Sequence, residues 1–448
     1  MKRFVLSLYC LLLFAAVCML AGCGGQGEKQ TETPGESATA GRAEMNLWYT
    51  DEAIGAYLAE AASSFGKEHN ATVTPRQVSS VEYLENINKQ NIEEKDIVDV
   101  YILNSESLEK AYMSGLAEEL SKNLSDFPDI AASACRYKGK TVAYPVYFET
   151  AFFLYNRDIA AEPPASFQAI IDFASSDAME GENAELYQNL EMILKWDVLD
   201  LFCNYQFVGA YLNVGGADGD DRTIVDMNNE KVLEALSFYK ELNQSLYFDG
   251  EEVDYQAMIQ SFLEGKLLYT IGTTESLGIL QQSEMNYGIA AIPPLTDSLD
   301  SRGISVNYVA AVNPYSPYPE LAKELADYIS DACAQSCYEL SGKLPCRGLE
   351  TYPTEEFTHV MDAYEHSAQL PKLMDTTNFW VEMEVVLNDI WKAEMREEVA
   401  EEGLSDDSQA ENMGVEELRK ERMQQQIRSL VTEEIDRVQG QMQLQLAQ

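Results

Sequence analysis

From Met45 onward, short apolar runs alternate with stretches in which apolar residues recur every three or four positions. Met45 to Tyr49 predicts a strand, and Glu52 to His69 predicts a helix through Ile54, Tyr57, Leu58, Ala61 and Phe65. Thr72 to Val78 is a second predicted strand, placed at a sheet edge because Pro75 cannot donate to a ladder; Ser79 with Glu82 predicts a capping box opening the next helix. Ile97 to Leu103 is apolar except for Asp99, the pattern of a parallel strand covered on both faces. Strand, helix, strand, helix, strand implies a doubly wound α/β lobe. Ligands in such sheets sit beyond the carboxyl ends of strands, so the loops at Trp48–Glu52 and Asn104–Ser107 are expected to face one crevice.

A second lobe is expected to follow. Thr141–Val146 and Phe152–Tyr155 predict strands, and Val232–Leu242 predicts a helix through Val232, Leu233, Leu236, Phe238 and Tyr239. Ile289–Ile292 and Tyr308–Val312 are short predicted strands flanking a Pro-containing polar stretch suited to a crossover between lobes. Glu394–Gly414 is acidic and polar, as a loop would be. After it, Val415, Leu418, Met423, Ile427, Leu430, Val431, Ile435 and Val438 form the stripe of a last helix, expected to dock on the second lobe. A coiled-coil contact is the alternative, but the heptad is not sustained for long enough.

The N-terminus has the pattern of an address. Lys2 and Arg3 precede a largely apolar run from Phe4 to Leu20, and Ala21 and Gly22 follow, as in an export signal. Leu20, Ala21, Gly22 and Cys23 also look like a lipobox, which implies cleavage before Cys23 and its diacylation; an ordinary signal peptide is the alternative. Gly24 to Arg42 is polar, without apolar periodicity, and fits a flexible tether with a reach of roughly 25 Å.

Composition narrows the class. The 448 residues carry 31 Lys and Arg against 75 Asp and Glu, a formal net charge of −44. A nucleic-acid partner is excluded on this reading, because phosphate binding needs a basic face. A hydrophobic share of 46% is that of a globular chain, and the length calls for two lobes, since single cores stop growing at roughly 250 to 300 residues. Anionic lipid would repel this surface, so membrane attachment would come from the acyl chains on Cys23.

Of 8 cysteines, Cys135, Cys203, Cys333, Cys337 and Cys346 lie beyond the address segment. Metal binding is not expected, because His69, His359 and His366 have no ligand spacing. Buried thiols are the simple reading, with a Cys337–Cys346 disulfide across the Ser341–Gly342 turn as an alternative.

The run Gly139, Lys140, Thr141, Val142, Ala143, Tyr144, Pro145, Val146, with Glu149 and then Leu154, Tyr155, Asn156, Arg157 and Asp158, resembles the hinge-crossing signature of bacterial extracellular solute-binding proteins of the maltose-binding type. Other blocks fall in that family's order over roughly residues 45 to 400: Asp99 to Leu116, Phe262 and Gly265–Lys266 before Leu267–Gly272, Tyr287 to Pro293, Pro319 to Ile329, and the pair Phe379 and Trp380. The resemblance implies a type II periplasmic-binding-protein fold, α/β and two-lobed, each lobe a sheet flanked by helices and the ligand cleft between them. It implies no enzyme and no cofactor, but a receptor that captures a carbohydrate by lobe closure and delivers it to the permease subunits of an ABC importer. With the lipobox, it places a monomer on the outer face of the cytoplasmic membrane, extracellular or periplasmic. The expected division is residues 1–22 signal peptide, 23–43 lipidated cysteine and tether, 44–148 with 296–345 lobe 1, 149–295 with 346–400 lobe 2, and 401–448 acidic loop and C-terminal helix.

A sugar offers hydroxyls around its edge and C–H groups on its face, so its site needs carboxylate or amide acceptors beside aromatic rings. The resemblance places Glu52, Glu106 and Glu149 as polar cleft residues and Tyr205 and Trp380 as stacking rings. Trp48 near the first loop, and Tyr147, Asn307 and Tyr308 near the crossovers, are further candidates. Ordinary roles compete: core packing for Trp48 and Tyr205, helix-dipole stabilisation for Glu52 and Glu106. Two of the family's tryptophan positions hold Leu103 and Thr273–Thr274 here, which fits a smaller sugar or a differently lined cleft. Paired carboxylates also equip a glycosidase, but no nucleophile elbow, zinc helix or phosphate loop is present. A peptide or amino-acid receptor, and a surface glycan-binding scaffold, remain as alternatives. Arg157 and Arg302 are the cations nearest the crossovers that an amino-acid receptor would use.

Overall fold

The computed structural model describes residues 42–179, 184–246, 254–373, 377–394 and 415–447. The address segment, including Cys23, lies outside them, as do residues 395–414 of the acidic stretch.

The strand Ala43–Tyr49 lies between Ala71–Gln77 and Val100–Asn104, parallel to both. Met45, Leu47 and Tyr49 pack on one side with Ile54, Tyr57, Leu58 and Phe65, largely from the helix Gly55–Glu68. Trp48 packs on the other side with Tyr83, Leu84 and Ile87 of the helix Tyr83–Glu93. Covering both faces explains the unbroken apolar run of Val100–Leu103. Asp99 is buried but satisfied, accepting from the Asn46 N–H at 2.7 Å and from the Ser316 hydroxyl at 2.5 Å. The strand carrying Pro75 is the sheet edge, as expected. The capping box is not made: the Ser79 hydroxyl accepts from Val81 N–H at 3.1 Å, spending itself in a local turn, and the helix starts only after Glu82, which is left-handed.

Tyr144–Asn156 is one 13-residue strand where the pattern predicted two. Its first half, Tyr144–Thr150, pairs antiparallel with Ile304–Val312. From Ala151 onward its partners are Leu267–Thr273 and Tyr287–Ala290. The strand changes partners between Thr150 and Ala151, so pairing continues on both sides of the polar Glu149. Leu344–Pro345 adds a short pairing at Phe148 and Tyr147. With Met192–Leu194 beside Leu267–Thr273 and Ala368–Gln369 beside Ile304–Val312, these make a ten-stranded curled sheet among the described residues.

Helices Glu230–Leu246 and Thr377–Lys392 pack beyond the second sheet half, and the terminal helix Val415–Leu446 docks against both through Ile427, Val431, Ile435, Val438 and Met442. Its Gln439 Oε1 accepts from the backbone N–H groups of Met227 and Asn228, each at 2.9 Å. The last helix therefore lies where the apolar stripe predicted.

Cys135, Cys203, Cys333, Cys337 and Cys346 are all free and buried, so the Cys337–Cys346 pairing is not made. Those two thiols belong to different hydrophobic clusters: Cys337 faces the Ser341 hydroxyl at 3.9 Å and Cys346 faces Asn307 Oδ1 at 3.8 Å.

Candidate ligand cleft

Strand geometry sends alternate side chains to opposite faces, so Tyr147 and Glu149 share one face of the crossing strand and Phe148 and Thr150 the other. Tyr147 stacks on its ladder partner Tyr308, with ring centroids 4.3 Å apart and planes 7° from parallel. Its hydroxyl donates to Asp51 Oδ2 at 2.9 Å. Asp51 is held by its own turn, where Oδ1 accepts from Ala53 N–H at 2.9 Å. Lys343, just before the Leu344–Pro345 pairing, donates to Glu149 Oε1 at 2.6 Å and lies 3.6 Å from Asp51 Oδ2.

Tyr308 lies within the field of three carboxylates from separate segments. Burial raises the pKa of its hydroxyl, and Glu149, Asp51 and Glu106 raise it further. Glu106 follows the third strand in a turn capped by Asn104, whose Oδ1 accepts from Ser107 N–H at 3.2 Å. Burial pushes the Glu106 carboxyl up to about 7, offset in part by the nearby Trp380 indole. Trp380 projects from the helix Thr377–Lys392, half-buried, with Phe379 at 4.7 Å and Tyr205 at 5.9 Å between ring centroids. The Glu106–Trp380 contact joins that helix to the loop after the third strand.

Carboxylates, phenol hydroxyls and one lysine thus lie beside a stacked pair of aromatic rings. This set can accept hydrogen bonds from several hydroxyls while a ring covers an apolar face.

A family model for bacterial extracellular solute-binding proteins matches residues 60–348, well over half of the chain. The chain belongs to that family. It is a family of binding proteins, not of enzymes. The solute-binding protein is 24% identical over 277 residues to the maltodextrin-binding protein MdxE of Bacillus subtilis, a match that takes in 60% of this chain and 66% of that protein. It thus spans just under two thirds of that relative's length. It is 21% identical over 380 residues to a maltooligosaccharide ABC transporter solute-binding lipoprotein of Streptococcus pneumoniae, covering 82% of this chain and 87% of the relative. Among solved structures, the extracellular solute-binding protein from Staphylococcus aureus in complex with maltose superposes with a TM-score of 0.67 at 16% identity, over 88% of this chain and 97% of that one. That likeness gives this solute-binding protein the type II two-lobed fold.

Of the residues singled out by sequence, Glu106, Tyr147, Glu149, Tyr308 and Trp380 come together. Tyr205 is buried behind Trp380, 5% exposed. Trp48 is buried beside Tyr83, with the Arg76 guanidinium 5.9 Å from its ring. Glu52 is exposed in the first turn after the opening strand, and its neighbour Asp51 makes the contacts to Tyr147 and Lys343. Asn307 lies on the Phe148 face, its Oδ1 accepting from the Tyr364 hydroxyl. Leu103 is 5% exposed, Thr273 Oγ1 is 2.9 Å from the Tyr255 hydroxyl, and Thr274 Oγ1 accepts from Thr150 N–H at 3.4 Å. Sequence reasoning missed Asp51 and Lys343. Asp51 carried a signal as the helix-capping residue of a loop already assigned to the crevice; Lys343 carried only its place beside the last crossover.

Proposed function

We propose that this solute-binding protein captures a neutral carbohydrate, from mono- to oligosaccharide, between its lobes and hands it to the permease subunits of an ABC importer. The observation that carries this reading is the Tyr147–Tyr308 stack tied to Asp51, with Glu149 on the same strand face and Glu106 close enough to act on Tyr308. Relatives whose names specify maltodextrin, maltooligosaccharide and galactooligosaccharide support the ligand class. The non-aromatic side chains at Leu103, Thr273 and Thr274 favour a short saccharide, because two ring platforms are missing. Closure pivots on the crossing strand near Tyr147–Thr150, on the return through Pro293–Asn307 and on the third passage at Leu344–Gly348, and the closed form is selected by contacts that the second lobe adds. Export and diacylation of Cys23 hold the monomer at the outer face of the membrane.

The test titrates the soluble chain from Gly24 with mono-, di- and oligosaccharides, amino acids and short peptides, following tryptophan fluorescence and heat. A saturable response to one saccharide, weakened in Trp380→Ala, is expected. A panel silent for sugars but positive for an amino acid or peptide would overturn the carbohydrate reading. Anchoring is read separately: Cys23→Ala should release the protein from the cell surface.

A further inference from the structure

Lys343 puts an ammonium group into surroundings that have the chemistry of an ammonium receptor. Its Nζ donates to Glu149 Oε1 at 2.6 Å, stands 3.6 Å from Asp51 Oδ2 and lies 5.7 Å from the centre of the Tyr147 ring. Two carboxylates and an aromatic ring about one cation are what a protein uses to hold a free ammonium ligand. The three charged side chains are largely withdrawn from water, with Lys343 23%, Asp51 25% and Glu149 31% exposed.

Backbone register, and not charge alone, delivers this lysine. The helix Ala334–Ser341 ends at Gly342, whose φ of 72° is the left-handed turn that glycine adopts without strain. The two residues after Lys343 then pair with the crossing strand at Phe148 and Tyr147, which sets the lysine beside Glu149.

We propose that Lys343 is a built-in occupant of an amine-binding box, a specificity-determining residue that closes the acidic cleft to cationic solutes and orients Glu149 and Asp51 as acceptors for the hydroxyls of a neutral ligand. The inference rests on the cleft assigned above. A chain of net charge −44 draws cations to any acidic recess, so a receptor for a neutral polyol needs something that rejects them. With Lys343 in place, an incoming ammonium meets like charge where the two carboxylates are best arranged, a repulsive element of the kind that specificity requires. A sugar hydroxyl meets no such repulsion, and it finds carboxylates whose rotamers the lysine already holds.

The test compares the soluble chain from Gly24 with Lys343→Ala and Lys343→Arg. The probe is n-propylammonium, which replaces the atoms removed in the alanine variant, with 1-propanol and sodium chloride as neutral and ionic controls. Lys343→Ala should bind n-propylammonium saturably, about tenfold or more tightly than wild type does, as expected for one charge-assisted hydrogen-bonded pair. The neutral saccharide should bind this variant about tenfold more weakly, with n-propylammonium restoring part of the loss and Lys343→Arg retaining most of the affinity. A folded Lys343→Ala that responds to the amine no more than wild type overturns the proposal. A variant that folds only with n-propylammonium present supports it, and one that stays unfolded with the amine overturns it. Silence of every saccharide sinks the carbohydrate reading, and the ammonium arm then upholds or overturns the lysine's role by itself.

Discussion

Tyr147 and Phe148 are neighbours on one strand, both fully buried, and each is stacked on a tyrosine: Tyr147 on Tyr308 at 4.3 Å and 7°, Phe148 on Tyr364 at 3.7 Å and 8°. Burial and ring geometry are nearly the same on the two faces. Their companions differ. On the Tyr147 side Glu149 is 31% exposed and the stack is wired to Asp51 and, through Glu149, to Lys343; on the Phe148 side Thr150 is fully buried and hydrogen-bonds to Ile304 O and the Ser305 hydroxyl. A stacked aromatic pair therefore does not distinguish core from site. What distinguishes them is a partly exposed charge network beside the rings, which costs desolvation free energy and gains it back only when water or a ligand can reach it.

The sharpest way to break the contrast is Phe148→Ala. It removes a ring from the dry face and should destabilise the fold by about 3–5 kcal/mol, measured by urea unfolding. A loss below about 1 kcal/mol would show that this face is not the tight one. Glu149→Ala acts on the other face and should weaken saccharide binding by roughly 10- to 100-fold in calorimetric titration while moving the melting temperature by only a few degrees. If stability falls as far as it does in Phe148→Ala, the two faces do not differ in kind. Trp380→Ala should cost about tenfold in affinity, a single ring contact, with a smaller effect on stability than Phe148→Ala because the indole is half-buried.

Glu106→Gln sharpens the comparison by its pH dependence, and near pH 4 its expected effect is the smallest of the four. The Glu106 pKa is raised to about 7 in the folded protein, so the folded state holds the proton more tightly than the unfolded chain. The stability tied to that proton is fully present below the ordinary carboxylate range and is lost as the pH climbs to about 7. Glutamine mimics the protonated acid, so the variant should match wild type near pH 4 and exceed it by a margin that grows up to about pH 7 and then levels off. Thermal melts across that range check it; a constant difference would show that Glu106 titrates normally.

Much of the architecture was legible. The edge position of the strand carrying Pro75, the helix of Ile54, Tyr57, Leu58, Ala61 and Phe65, and the docking stripe of the last helix all follow from spacing that one segment carries by itself. Glu106, Glu149 and Trp380 were named through the family resemblance, and the structure sets Glu106 and Glu149 where both act on Tyr308. The choice of Asp51 over Glu52 was not legible. The short helical turn beginning at Glu52 leaves Asp51 facing Tyr147 and Glu52 facing solvent, and a difference of one residue has no signature in periodicity. The capping box failed for a similar reason, a hydroxyl having two local partners of nearly equal worth.

Charge, periodicity and turn residues depend on near neighbours, and they determined the class of this chain: an acidic α/β protein in which short strands alternate with amphipathic helices. Which side chains meet was decided only in three dimensions. Lys343 reaches Glu149 across 194 positions of sequence, and Asp51 reaches Tyr147 across 96. Those contacts exist because separate strands share one register and one face, and the free energy of a charge pair depends on the burial and geometry that the assembled sheet creates.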